Sequence, residues 1–131
     1  MTKKNLAAAI LFIAVGLVAG AAAQTKIPLK FARGASSATV SGKVAGYRYV
    51  DYTLSANAGQ TMTIKAVSAN YGLEALLLRP DGSNVDGMLG ETDWTGTLPD
   101  TGKYAVRVLM VRASARRKGA AASFKLTVSI Q

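Results

Sequence analysis

The chain contains no cysteine and no histidine. Without cysteine there is no disulfide, no acylated lipoprotein anchor and no thiol chemistry. Without either residue, no Ser-His-Asp or Cys-His relay and no imidazole metal site can be assembled. Acids are scarce too: seven Asp and Glu stand against sixteen Lys and Arg in 131 residues, a formal net charge of +9. Glycoside hydrolysis needs only two carboxylates, and Glu91 with Asp93 could be proposed. At a spacing of two within one strand, however, both would point to the same face of a turn-rich segment. Asp81-Gly-Ser-Asn-Val-Asp86-Gly87 resembles a calcium loop only superficially, because Val85 breaks the alternation of acids and amides that such a loop requires. Plain turn chemistry explains the segment. No glycine loop that could cradle a phosphate follows a strand, and neither a cofactor nor a metal is expected.

What the chain does contain begins with Lys3 and Lys4, followed by the uncharged apolar run Leu6 to Val18. Small residues come next, with Ala21 and Ala23 in an A-x-A arrangement before Gln24. This pattern predicts a cleavable secretory signal over residues 1–23, with cleavage near Ala23-Gln24, rather than a membrane anchor. The periplasm is the simplest destination, and export argues against intracellular nucleic acid as a partner. The remainder, residues 24–131, has a length suited to one domain.

Strand signals run along that remainder. Met62, Ile64 and Ala66 alternate with Thr61, Thr63 and Lys65, and Phe124, Leu126, Val128 and Ile130 alternate with Lys125, Thr127 and Ser129. Period-two patterns place one apolar set on a buried face. Tyr47 to Ser55 and Tyr104 to Val111 are rich in branched and aromatic residues, as strands prefer. Shorter runs lie at 27–31, 38–44, 73–78 and 94–98. Turn residues punctuate them at Asn57-Ala-Gly59, Pro80-Asp-Gly82, Asp86-Gly87 and Asp100-Thr-Gly102. No stretch holds a helical period for three turns. The fold expected is all-β, an antiparallel β-sandwich of about eight strands.

Charge is distributed in blocks. Between Asn70 and Asp100, Arg79 faces six acids, whereas from Thr101 onward there are seven cations and no acid. The segment Arg112-Ala-Ser-Ala-Arg116-Arg117-Lys118-Gly119 alone carries four of those cations. Its position between two strand runs predicts a hairpin connection. An unpaired buried charge costs several kcal/mol by order of magnitude, so this segment must stand in solvent or meet a partner. Two partner classes fit: a polyanion such as lipopolysaccharide, held by charge alone, or a protein surface that presents carboxylates. Tyr47, Tyr49 and Tyr52 are shared between two strand faces, so core packing competes with any role in stacking. Arg107, inside a strand, is expected to pair with an acid such as Asp51 or Asp93.

Several of these residues occur in a familiar arrangement. Gly34, Ser36-Ser37-Ala38, Ser41-Gly42, Gly46-Tyr47, Tyr49, Tyr52 and Gly59-Gln60 resemble the periplasmic inhibitors of goose-type (g-type) lysozyme. The likeness resumes at Leu98-Pro99, Gly102-Lys103-Tyr104, Arg107-Val108-Leu109, Arg112, Ala115 and Arg116. It covers roughly residues 29–65 and 98–118 and is poor from 68 to 97. The resemblance implies an eight-stranded sandwich, not an enzyme, that blocks the lysozyme cleft with protruding loops. It places Tyr47, Arg112 and Arg116 on the inhibitory surface, with Ser36 and Ser37 as weaker members. Ser114 and Arg117 join them as neighbours within the same loop. The residue types suit that task. A glycosidase cleft presents carboxylates, arginine pairs with them in two-point fashion, and Arg and Tyr are enriched at binding hot spots. Against a basic enzyme the loop would gain nothing from long-range attraction, so affinity would rest on local fit. Weak polyanion binding is expected on either reading.

Overall fold

The computed structural model describes residues 24–70 and 72–131; the expected signal segment lies outside the described residues. Among the described residues, nine strands form two sheets. In chain order they are β1 (Gln24–Pro28), β2 (Ser37–Ala45), β3 (Tyr49–Ala56), β4 (Thr61–Val67), β5 (Leu73–Leu78), β6 (Asn84–Glu91), β7 (Asp93–Thr97), β8 (Gly102–Met110) and β9 (Ala121–Ile130). One short helix, α1 (Arg112–Ala115), separates the last two. The five-stranded sheet has the order β1-β3-β8-β5-β6 and the four-stranded sheet β2-β9-β4-β7. All pairings are antiparallel except β1 with β3, which run parallel. No helix among the described residues is long and apolar enough to cross a membrane.

Alternation determines which side chains meet between the sheets. Met62, Ile64 and Ala66 of β4 face inward, as do Ala122, Phe124, Leu126 and Val128 of β9. Opposite them lie Val50, Tyr52 and Leu54 of β3 and Tyr104, Val106, Val108 and Met110 of β8. Burying each large apolar side chain contributes on the order of 1.5–3 kcal/mol, which makes this single core the main source of stability. Two core tyrosines bring a polar end inside. The Tyr104 hydroxyl donates to the Asp100 carbonyl at 2.6 Å and accepts the Asp100 N–H at 2.8 Å, so its burial leaves nothing unpaired. Tyr52 packs edge-on to Phe124 with ring centres 6.2 Å apart, and burial pushes its phenol above the usual tyrosine range.

The structure departs from the sequence expectations in four places. The strand count is nine because β6 covers Asp86-Gly87, read above as turn punctuation. This strand lies at a sheet edge and pairs with β5 through two register shifts, so its pattern carries no regular period. The Asp81 turn before it is real: Asp81 accepts the Ser83 N–H and hydroxyl at 2.9 and 2.6 Å. Those bonds hold its carboxyl below the usual carboxylate range. Second, Glu91 and Asp93 do not share a strand, because Glu91 ends β6 in one sheet and Asp93 begins β7 in the other. Third, β8 and β9 are not a hairpin. They belong to different sheets, and the basic segment is the arch between them. Fourth, the first strand begins earlier than the run at 27–31 and is the parallel exception.

Of the consecutive strand pairs, β5–β6 alone stays within one sheet. Every other connection crosses from sheet to sheet, so the loops collect at the two ends of the sandwich. One end carries the connections β2–β3, β4–β5, β6–β7 and β8–β9; the opposite end carries residues 29–36, 57–60, 79–83 and 98–101.

Candidate functional site

The basic segment is folded rather than loose. Val111 is extended (φ −62°, ψ 151°) and its N–H donates to the Gly72 carbonyl at 2.7 Å, anchoring the end of β8 to the β4–β5 connection. The helical turn of α1 follows, closed by Ala115 N–H to Val111 O at 2.8 Å and Arg116 N–H to Arg112 O at 3.1 Å. Ala115 is its buried contact with the core. Residues four apart on a helix are neighbours on one side, so Arg112 and Arg116 project from the same flank, and both are exposed. Ser114 is half-buried and seated on Gly72, where a Cβ would collide with the Ser114 side chain. Its hydroxyl therefore faces the body of the protein. A tight turn then reverses the chain, with Ala120 N–H bonded to Arg117 O at 3.1 Å. Gly119 has φ +72° at the position where a type II turn requires it.

Tyr47 reaches the same end from β2. Residues Ala45-Gly46-Tyr47-Arg48 form a turn closed by Arg48 N–H to Ala45 O at 3.1 Å. Gly46, at φ +57°, takes the first central position, as a type II′ turn demands. The second central position is Tyr47, which is 67% exposed and so is not part of the core. The Gly46 N–H donates to the Ala120 carbonyl at 2.9 Å, which fastens this turn to the end of the basic segment.

Between the two lies an open hollow of about 640 Å3, walled by Tyr47, Arg48 and Tyr49 on one side and Arg117, Gly119 and Ala120 on the other. It is Arg117, then, that shares a recess with Tyr47, while Arg112 and Arg116 stand on the neighbouring flank of α1. Arg48 had no place in the sequence-based reading. The only signal was its adjacency to Tyr47 in a glycine turn, which by itself does not separate a site from a solvated loop.

Ser36 and Ser37 lie elsewhere. Ser37 begins β2 and pairs with Ser129, whose hydroxyl donates to that of Ser37 at 3.2 Å, and the Ser36 carbonyl accepts the Ile130 N–H at 2.8 Å. At about 3.3 Å per residue, the length of β2 puts Ser37 about 26 Å from Ala45, at the opposite end of the sandwich from Tyr47. The structure does not bring these serines together with the basic segment.

Arg107 settles on Asp51 rather than Asp93. The β3–β8 register sets Asp51 opposite Arg107, whose Nε and Nη2 donate to the two carboxylate oxygens at 2.8 and 3.0 Å. This bonding raises the Arg107 pKa above its ordinary value. The same guanidinium lies 3.9 Å from the centre of the Tyr49 ring. Stacking and a two-point ion pair together fix one wall of the hollow.

The chain is 34% identical over 122 residues to the inhibitor of g-type lysozyme of Escherichia coli K12, a match that spans 89% of this chain and 90% of that protein. The crystal structure of Aeromonas hydrophila PliG, a periplasmic lysozyme inhibitor of g-type lysozyme, superposes with a TM-score of 0.73. It shares 39% identity, covering 82% of this chain and 97% of that one. The Salmonella Typhimurium PliG structure gives 0.66 at 30% identity, covering 82% and 98%. A surface-associated copper-binding protein of Methylomicrobium album, at a TM-score of 0.53 and 13% identity, shares the fold only. A scan against protein-family models finds no match. Identity at this level over nearly the whole of both sequences makes the chain a member of the family of g-type lysozyme inhibitors.

Proposed function

We propose that this chain is a periplasmic protein inhibitor of g-type lysozyme, exported by the signal peptide at residues 1–23, and that it acts by binding without chemistry of its own. The observation that carries the reading is its 34% identity, across 89% of its length, to an inhibitor of that enzyme class. The geometry supplies a mechanism. Arg112 and Arg116 extend from one flank of an exposed helical turn that the Gly72 and Ala115 contacts hold in place. Inserted in a glycosidase cleft, they meet carboxylates that must shuttle protons for hydrolysis. A guanidinium paired with such a carboxylate holds it ionised, and the inserted loop excludes the glycan. Tyr47 adds a broad, rigid contact beside them. Ser36 and Ser37, at the far end, would need a partner that wraps the sandwich, so the proposed footprint leaves them out. Nothing in the comparisons favours a polyanion-binding module.

Lysis of cell walls by several g-type lysozymes, followed at rising concentrations of residues 24–131, tests the reading. Inhibition that saturates near one inhibitor per enzyme is expected and should persist from about 50 to 200 mM salt. Purely electrostatic binding to a polyanion collapses over that range by counterion release. Undiminished lysis at micromolar excess over every enzyme tried would refute it.

A further inference from the structure

The outer face of the five-stranded sheet carries a separate recess, built by strand alternation rather than by loops. Val50, Tyr52 and Leu54 of β3 and Tyr104, Val106 and Val108 of β8 fill the core, so Asp51, Thr53, Lys103, Ala105 and Arg107 face outward. Register sets Lys26 of β1 beside Asp51, Asp51 beside Arg107, and Thr53 beside Ala105. The small side chains of Thr53 and Ala105 thus form a floor among longer ones. Tyr49, Leu78, Pro80 and Gly82 help to enclose a hollow of about 390 Å3, the size of a small-molecule cleft. Arg112, Arg116 and Tyr47 line no part of it.

The charge of this recess is one-sided. Lys26, Arg79, Lys103 and Arg107 line it, against Asp51 as the one acid. Asp51 is 3% exposed and already engaged by Arg107, through the Nε and Nη2 contacts at 2.8 and 3.0 Å. Arg79 is paired with Asp100 at 3.0 Å. Lys26 and Lys103 are exposed and make no ion pair among the described residues. Arg107 uses two of its five N–H groups on Asp51, so three remain for another acceptor. The buried acid and the Tyr49 ring, 3.9 Å from the guanidinium, hold that fork in place before any ligand arrives. A fixed donor loses little freedom on binding, which favours affinity. Two lysines beside it add to the positive potential that draws an anion in.

We propose that this recess binds a phosphomonoester, with Arg107 supplying the fork and Lys26 and Lys103 the point charges. A group that carries about two negative charges and three acceptor oxygens suits three cations better than one carboxylate does. Leu78, Pro80 and Ala105, beside the Tyr49 ring, offer apolar contact to a compact organic body attached to the phosphate. That phosphate belongs to a free sugar phosphate or to a lipid headgroup, and the recess recognises what the two share. The inference stands apart from the inhibitor reading.

The test follows backbone amide shifts of isotope-labelled residues 24–131 at fixed salt. The probes, added separately, are glucose 6-phosphate, glucose, inorganic phosphate and vesicles carrying phosphatidic acid. The variants are Lys26→Gln, Lys103→Gln and, as a charge-matched control, Lys125→Gln, which is exposed on β9 in the other sheet. Arg107 is left in place, because its removal strands Asp51. Glucose 6-phosphate is expected to shift Thr53, Lys103, Ala105 and Arg107, with a dissociation constant below about 1 mM. Lys26→Gln and Lys103→Gln should each weaken it about fivefold, the scale of one water-screened charge contact, and Lys125→Gln should not. Glucose should leave the recess unchanged, and melting temperatures should match the parent, since all three lysines are exposed. If the sugar phosphate is silent but the vesicles bind and the two recess variants lose that binding, the source is a lipid headgroup and the site stands. If inorganic phosphate binds as tightly as glucose 6-phosphate, the organic body adds nothing and the site holds an adventitious ion only. Shifts confined to residues 112–118, or equal losses in all three lysine variants, would also overturn the proposal. So would silence from both the sugar phosphate and the vesicles. Each of these outcomes leaves the inhibition of lysozyme to its own assay.

Discussion

The Gly46 N–H donates to the Ala120 carbonyl at 2.9 Å, and this bond joins the Tyr47 turn to the end of the basic segment. It depends on a glycine, because Gly46 sits at φ +57°, a conformation that costs other residues roughly 1–2 kcal/mol. The Gly46→Ala variant is therefore expected to lose about 1 kcal/mol of stability and to inhibit less well than that loss explains, because Tyr47 shifts with the turn. Chemical denaturation and inhibition constants measured together check this. A stable Gly46→Ala protein with full potency would show that Tyr47 needs no fixed position.

The Asp51–Arg107 pair should respond unequally to its two truncations. Asp51 is buried, whereas the Arg107 side chain keeps 28% of its exposure. Removing the arginine strands a carboxylate away from water, so Arg107→Met should cost about 3 kcal/mol or more. Removing the acid leaves a guanidinium that can turn to solvent, so Asp51→Asn should cost less, about 1–2 kcal/mol after allowing for that exposure. The double variant should recover part of the Arg107→Met loss. Urea midpoints of the three proteins decide it; equal losses from the two single variants would mean that Asp51 is better hydrated than its burial suggests.

Burial also sets a limit at high pH. Tyr52 has its pKa raised in the folded state by desolvation. An unfolded tyrosine ionises near pH 10, so the phenol favours folding fully below that value. The contribution is lost as pH rises from about 10 through the folded pKa, where the unfolded chain releases its proton first. The Tyr52→Phe variant keeps the edge-on contact with Phe124 and removes the proton. Its stability is expected to fall less steeply than the parent's as the pH rises above about 10. Parallel slopes over that range would assign the alkaline loss to other groups.

The fold class was legible because period-two alternation reports which face of a strand is buried. In β4 every buried residue was identified in that way, and in β9 all but Ala122, which precedes the alternating run. Alternation does not report which sheet a strand joins. Tyr104 to Val111 and Ser123 to Ile130 therefore read as a hairpin, although the chain arches between sheets at that point. The edge strand β6, with glycines at 87 and 90 and a shifting register, had no pattern to read. At the site, the charge of residues 112–118 was plain from composition. That Arg48 and Arg117 line one hollow was not, because it follows from the β2–β9 register, which sets Ala45 opposite Ala121 and so places two turns far apart in sequence side by side. The Arg107 partner was narrowed to two acids by charge and resolved to Asp51 only by strand register.

The arginines of α1 allow the sharpest comparison between shape and charge. Arg112→Ala and Arg116→Ala should each weaken inhibition by about 2 kcal/mol or more, the scale of a desolvated anchor. Neither should move stability by more than about 0.5 kcal/mol, since both are exposed and make no ion pair among the described residues. Tyr47→Ala, at an equally exposed site, should follow the same pattern. Lys118 is the fitting control: it carries the same charge in the same segment but borders neither the α1 flank nor the hollow. If the segment worked only as a cloud of positive charge, Lys118→Ala would cost as much as Arg112→Ala, and both losses would fade with added salt. Insertion requires the reverse, a small loss at Lys118 and large, salt-resistant losses at Arg112 and Arg116. Equal losses at Arg112 and Lys118 would end the insertion mechanism even if the chain still inhibits.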